Sequence, residues 1–316
     1  MFERHPVPTP FPVDPVNVYV AGRTIVDPGP ATDEAWSIVT SALGARGLEP
    51  ADVEQVLVTH PHPDHFGLAR RFRDRGARVL ASEATAAIIA AYDDRLEYER
   101  RYFREAFHRH GLSESLVERV FEFTAALSRY VSDCPVDRLL ADGDVVDVGS
   151  TALTAGEVTG HAPGELCFSY EHDDQRRAIV GDHVLAEITP NPLLQPPEEP
   201  EGDRPRVLPA FNESLERLRD RGFDRLLPGH GPLVDRPEKR IDELLAAHEE
   251  RTATVNALVS GSTTAAEVMD GLFGDLPPQE VFSGMSEAIG HLDVLEERGL
   301  IGRRTNGANR ITYEPA

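Results

Sequence analysis

The sequence predicts an α/β protein: a layered domain of alternating strands and helices, a helical insert inside it, and a small helix-rich domain after it. Three observations carry this expectation. Short β-branched runs such as VEQVLVTH (53–60) and RRAIVGD (176–182) recur between stretches of helical periodicity. Residues 84–133 break that alternation with two long helical patterns. From about residue 237 the texture shifts to helices followed by a hairpin signal around TNGAN. A length of 316 residues suits one large and one small domain, here drawn at 1–236 and 237–316.

Taken in order, VNVYVAG (16–22) and TIVDPG (24–29) read as two short strands meeting at a turn. ATDEAWSIVTSALGARG (31–47) has helical spacing and a glycine stop. VEQVLVTH is a buried strand, HFGLARRFRDRG (65–76) one helix and ARVLAS (77–82) a further strand. The insert follows as EATAAIIAAYDDRLEYERRYFREAF and SESLVERVFEFTAALSRYV, joined at HRHGL. Tyr98 and Tyr102, and Phe103 and Phe107, are each four residues apart, so each pair lines one strip of a helix. A strip of this kind serves as a packing face or as a lid over a substrate pocket; the expectation is that part of the hairpin is a lid, with one of the two pairs facing the substrate and the other mattering only to stability. Strands resume at TALTAGEV (151–158), ELCFSYEH (165–172) and RRAIVGD. The proline-rich stretch 188–209 lacks periodicity and reads as a long loop. AFNESLERLRDRG (210–222) is a helix, and FDRLLPGHG (223–231) a strand ending at a glycine-flanked histidine. The C-terminal order of helix, helix and two strands about Asn306-Gly307 is a winged-helix pattern.

The net charge of −22 disfavours a nucleic-acid partner. Residues 237–316 carry 14 acidic against 7 basic side chains, which suits packing or homodimer formation better than binding of a polyphosphate. The two cysteines, Cys134 and Cys167, form no CxxC spacing and fit a reducing compartment. No apolar run is long enough to cross a bilayer, and MFERHPVPTPFPVDP has no basic segment leading into an apolar one. The expected location is the cytoplasm, with no membrane partner.

The stretch with chemistry is THPHPDHFG (59–67). His60 and His62 alternate in an extended segment and so point the same way. Pro61 and Pro63 stiffen the segment and lower the entropic cost of holding two ligands together. Asp64 and His65 follow where the chain turns into a helix and can face a second cation. Three further ligands stand at predicted strand ends beside glycines: His161 in VTGHAPGE, Asp182 in IVGDHV and His230 in LPGHG. Five imidazoles and two carboxylates without a thiolate suit Zn2+, with Mn2+ or Fe2+ as alternatives. The other seven histidines, His5, His108, His110, His172, His183, His248 and His291, read as structural, although His183 adjoins Asp182.

The HxHxDH run at 60–65, followed in order by His161, Asp182 and His230, resembles the metallo-β-lactamase superfamily, including its glyoxalase II-like and winged-helix-containing branch. The likeness covers roughly residues 14–235 and implies an αββα sandwich with a dinuclear centre at the sheet edges. It implies that His60, His62 and His161 hold one metal, that Asp64, His65 and His230 hold the other, and that Asp182 bridges them. Many thioesterase-like members carry a second histidine shortly after the third motif. This chain has Glu165 there, which leaves the ligand set intact and changes what lies behind it. The implied reaction is hydrolysis of an ester-type acyl bond in a small molecule, a thioester or lactone, by a hydroxide bridging the two metals. Asp64 would orient that hydroxide and pass its proton on. A phosphodiester-cleaving endoribonuclease is the alternative within the superfamily, and a mononuclear iron centre, as in persulfide dioxygenases, would use the same first ligands. A winged-helix regulator would need a basic recognition helix, whereas MSEAIGHLDVLEERG holds four acids and one arginine.

Overall fold

The computed structural model describes residues 2–199 and 202–316, with the side chains of residues 123–127 left out. Thirteen strands and ten α-helices are defined among these residues. One sheet holds β1 (Glu3–Val7), β2 (Val16–Ala21), β3 (Thr24–Val26), β4 (Gln55–Leu57), β5 (Arg78–Ala81) and β6 (Arg138–Leu139) in that spatial order. The second holds β7 (Val145–Val148), β8 (Thr151–Glu157), β9 (Leu166–His172), β10 (Gln175–Ile179) and β11 (Arg225–Leu227). β12 (Ile301–Thr305) and β13 (Ile311–Pro315) form a separate antiparallel hairpin. The helices are α1 (Asp33–Gly44), α2 (Pro63–Phe66), α3 (Ala69–Arg73), α4 (Glu83–Ala90), α5 (Tyr92–Arg109), α6 (Glu114–Ala125), α7 (Val207–Asp220), α8 (Pro237–Leu258), α9 (Ala265–Phe273) and α10 (Pro278–Glu297).

The chain forms two compact units. The first comprises residues 1–93, 127–190 and 216–241, and the second residues 94–126, 191–215 and 242–316. This differs from a single boundary at residue 236, because most of the insert packs with C-terminal residues.

In the first unit the two sheets lie face to face. Tyr19, Val26, Leu57 and Leu80 of one interleave with Val146, Leu153, Phe168 and Ile179 of the other, and all are buried. Packing apolar strand faces against each other removes them from water at about 25 cal/mol per Å². The central strand β4 is parallel to β3 and β5, so the chain leaves all three at the same sheet edge. That shared edge is why the histidine segment, which follows β4, can meet loops from elsewhere. The α/β sandwich expected from the sequence is therefore what forms.

Local departures have physical reasons. β1 pairs antiparallel with β2 as an edge strand, which is where Pro6 can be tolerated. The single helix expected over 65–76 is two, α2 and α3. The Leu68 N–H turns away to donate to the Gly29 carbonyl at 2.9 Å. A Cβ on Gly67 would come within 2.5 Å of the Ala31 nitrogen. The first insert helix is likewise split at Ala91. Asp133 accepts the Tyr92 N–H at 3.0 Å, and the Ile89 carbonyl accepts from Cys134 at 2.7 Å. The proline-rich loop has no regular structure before α7 among its described residues; Pro200 and Glu201 lie outside them.

The second unit has its own core. Phe103 and Phe107 of α5 are 1% and 0% exposed and meet Phe282 of α10 at ring-centroid distances of 5.1 and 5.4 Å. Val117, Val255, Met285, Ile289, Ile301 and Tyr313 close around them. The Tyr98 hydroxyl donates to the Pro197 carbonyl at 2.7 Å. Of the two pairs, Phe103 and Phe107 are the packing pair: a side chain buried in an apolar core has no surface left for a substrate. No described helix is long and apolar enough to cross a membrane.

Candidate metal centre

Each of the seven residues picked out from the sequence stands near the end of a strand or at the start of a helix in the first unit. His60 and His62 lie in the extended segment after β4, and His62 caps α2, whose first residue is Pro63. Proline suits that position because its missing N–H would have no helical partner and its φ is already helical. Asp64 and His65 follow inside α2. His161 precedes β9, Asp182 follows β10 and His230 follows β11.

These side chains converge. His60 Nε2 is 3.0 Å from His62 Nδ1, and His161 Nε2 is 3.2 Å from that same nitrogen. His230 Nε2 lies 3.3 Å from Asp64 Oδ2, and His65 Nε2 lies 3.9 Å from it. A single oxygen, Asp182 Oδ2, stands between the two groups. It is 3.4 Å from His230 Nε2, 3.5 Å from His65 Nε2, 3.6 Å from His161 Nε2 and 4.0 Å from His60 Nε2. Three overlapping sets of nitrogen and oxygen atoms compact enough for a cation result: His60, His62, His161 and Asp182; Asp64, His65 and His230; and Asp27, His60 and His65.

Glycines make the approach possible. A Cβ on Gly229 would fall 2.3 Å from Asp182 Oδ1 and 2.6 Å from His65 Cε1. The Gly229 carbonyl accepts from the Asn17 N–H, and its own N–H donates to the Gly181 carbonyl, both at 2.6 Å. Asn17 Nδ2 and the Tyr19 hydroxyl both donate to the Pro228 carbonyl, at 2.9 and 2.7 Å. His230 Nδ1 reaches the Pro15 carbonyl at 2.9 Å. The loop bearing His230 is thereby fastened to β2.

Sequence reasoning missed Asp27, which orients the His65 side of the cluster. It follows β3 with φ 52°, a left-handed conformation that aspartate accepts better than most residues. Its carboxylate accepts from Thr59 N at 2.8 Å and from Thr59 Oγ1 at 2.7 Å, and His65 Nδ1 lies 2.9 Å away. A buried carboxylate on the far nitrogen of an imidazole fixes its tautomer and ring orientation. The signal was present in TIVDPG, a lone acid at the end of a buried strand, but nothing local says what it faces. Asp27→Ala is expected to lower affinity for a divalent cation about 10–100-fold by freeing the His65 ring. Competition against a chromophoric chelator measures this.

The electrostatics divide the cluster. Burial, reinforced by neighbouring imidazoles, holds His60 well below the usual histidine range and His62 at about 3, so both are neutral with lone pairs available. Burial also opposes charge on His65 and His230. There the carboxylates win: Asp182, Asp64 and Asp27 hold His65 well above its usual range, and Asp182 and Asp64 raise His230 to about 10. Asp182, despite burial, is held well below the carboxylate range by His230 and His65. Behind the cluster, burial raises Glu165 to about 8. His183, read from the sequence as structural, is fully buried with its Nδ1 3.4 Å from Glu165 Oε2.

Residues 11–230 match the family model described as the metallo-beta-lactamase superfamily. The Bacillus subtilis (strain 168) protein named "Probable metallo-hydrolase YqjP" is 30% identical over 301 residues, covering 92% of this chain and 90% of that protein. The crystal structure of a metallo-beta-lactamase family protein from Thermus thermophilus superposes with a TM-score of 0.83 at 29% identity, covering 100% of this chain and 98% of that one. A more distant likeness, 22% over 165 residues, is to the atrochrysone carboxyl ACP thioesterase of Aspergillus fumigatus, covering 48% of this chain and 47% of that protein.

Proposed function

The chain belongs to the metallo-β-lactamase superfamily and is a metal-dependent hydrolase; on that premise we propose that it cleaves an ester-type acyl bond, a thioester or a lactone, with two divalent cations. The observation that carries the dinuclear reading is the position of Asp182 Oδ2 within 3.4–4.0 Å of four imidazole nitrogens drawn from three separate segments.

The residues fit such a pair of ions. His65 Nε2 and Asp182 Oδ1 are buried without a hydrogen-bond partner. The 3.0–3.2 Å nitrogen separations at His62 are close to the edge of a tetrahedron built on Zn–N bonds, about 3.3 Å. Imidazole and carboxylate donors without thiolate favour Zn2+, with Mn2+ and Fe2+ as the nearest alternatives. His60, His62 and His161 would hold one ion and Asp64, His65 and His230 the other, with Asp182 shared. Bound there, the ions supply a hydroxide at neutral pH and a Lewis acid for the substrate oxygen.

The chain's own part follows from its groups. Asp64, held below the carboxylate range despite burial, stays ionised and can accept a proton at Oδ2 and pass it on. Asp27 and the Pro15 carbonyl keep the rings of His65 and His230 in place. The thioester or lactone reading is supported by the thioesterase among the relatives, and the acidity of the chain weighs against a polyanionic substrate.

A pH effect follows with a definite sign. His65 and His230 carry protons in the metal-free cluster at neutral pH, so a cation must displace them. Apparent metal affinity is expected to rise with pH, and uptake to release protons. Calorimetry in buffers of differing ionisation enthalpy measures the release; heats independent of the buffer would contradict it. The function itself is tested by metal content per chain and turnover of a panel of acyl thioesters, lactones and RNA. Two ions per chain with hydrolysis of the acyl substrates supports the reading. Selective cleavage of RNA would replace it with the nuclease.

A further inference from the structure

Glu165 begins the turn into β9, directly behind the cluster. Its side chain and that of His183 are both fully buried, with Oε2 and Nδ1 3.4 Å apart. Setting aside Asp27 and the seven cluster residues, these are the only buried carboxylate and imidazole among the described residues of the first unit. A carboxyl and an imidazole at such depth each lose their hydration and need a polar partner to offset that penalty.

The pair's neighbours are the segments that bear ligands. The Glu165 carboxylate faces the backbone N–H of Asp182. A Cβ on Gly181, whose φ is +50°, would come within 3.2 Å of Glu165 Oε1 and 2.9 Å of Thr59 Oγ1. The next residue along, Leu166, donates its N–H to the Thr59 carbonyl at 2.9 Å. The His183 N–H donates to the Val180 carbonyl at 3.0 Å, closing a turn about Asp182. Thr59 and residues 181–183 thus meet beside Glu165.

We propose that Glu165 and His183 act together as positioning residues for Asp182, fixing the backbone turn that keeps its Oδ2 between the two groups of ligands. This rests on the reading that the cluster holds metal. An isolated space-filling role would call for apolar groups, since burying a carboxylate beside an imidazole costs desolvation on both.

The test uses the full chain and Zn2+ with a competing chelator, comparing wild type, Glu165→Ala, His183→Ala, the double variant and Glu165→Gln. The melting temperature of each metal-free protein is recorded alongside. Each alanine variant is expected to lose about 10–100-fold in affinity for the more weakly held ion. The double variant should lose little more than either single one, because both disrupt one unit. Glu165→Gln should recover most of the loss, as it keeps the shape and an oxygen facing the Asp182 N–H. Each alanine variant should lower the metal-free melting temperature somewhat, because it leaves a buried polar group unpaired, but should lower the metal-loaded one by clearly more. Should Glu165→Ala fail to fold, Glu165→Gln and His183→Gln carry the comparison, and His183→Gln is then expected to weaken Zn2+ while Glu165→Gln retains it. Unchanged affinities, additive losses, or losses matched by equal destabilisation of the metal-free protein would each overturn the proposal. Wild type that binds no Zn2+ would reject the metal reading as well, whereas wild type that binds it and variants that bind it equally would reject the pair alone.

Discussion

Asp182→Ala is expected to hold neither cation tightly and to lose about 10³-fold or more in kcat/KM. One oxygen of this side chain stands within 3.4–4.0 Å of nitrogens from both ligand groups, so removing it takes a donor from each at once. It also removes the anion that offsets the charges of His65 and His230, which then repel each other and any incoming cation. Deleting a single oxyanion donor already costs about 10²–10³ in other hydrolases, and here the group organises the whole centre. Asp182→Asn should fall between, since its amide keeps one neutral oxygen. Metal analysis after gel filtration, paired with turnover of the best acyl substrate, checks both effects. Two tightly held ions in the alanine variant would show that Asp182 is not shared.

Phe103→Ala and Phe107→Ala should each destabilise the protein by about 3–5 kcal/mol, the usual cost of emptying a large aromatic site in a packed core. Domains have only about 5–15 kcal/mol in total, so either change removes a large fraction and the double change should unfold the second unit. Tyr98→Phe, which removes only a hydroxyl bonded to the Pro197 carbonyl, should cost about 0.5–1.5 kcal/mol. Chemical denaturation followed by circular dichroism separates these outcomes. A Phe103→Ala protein as stable as wild type, with altered preference among acyl groups, would show that this pair faces substrate after all.

The sequence by itself determined the α/β architecture and the identities of the seven residues that the structure gathers. Both are local in origin. The hydrophobic period of two or 3.6 residues fixes element type wherever a face is buried. Polar imidazoles beside glycines at strand ends have no role in a core, so HPHPDH, GHAPG, GDH and PGHG stood out. The tertiary structure alone decided that Phe103 and Phe107 face a core rather than a pocket, that Asp27 stands behind His65, and which ligand atoms meet. Asp182 and His230 meet through strand registry. β10 and β11 run parallel with Ile179 opposite Leu227, and both ligands lie just beyond that paired rung, at one sheet edge. Val26 likewise stands opposite Leu57, which brings Asp27 to the segment carrying Thr59 and His60. Such registry is made by backbone hydrogen bonds between segments far apart in the chain, and the pattern within any one segment carries no record of its partner.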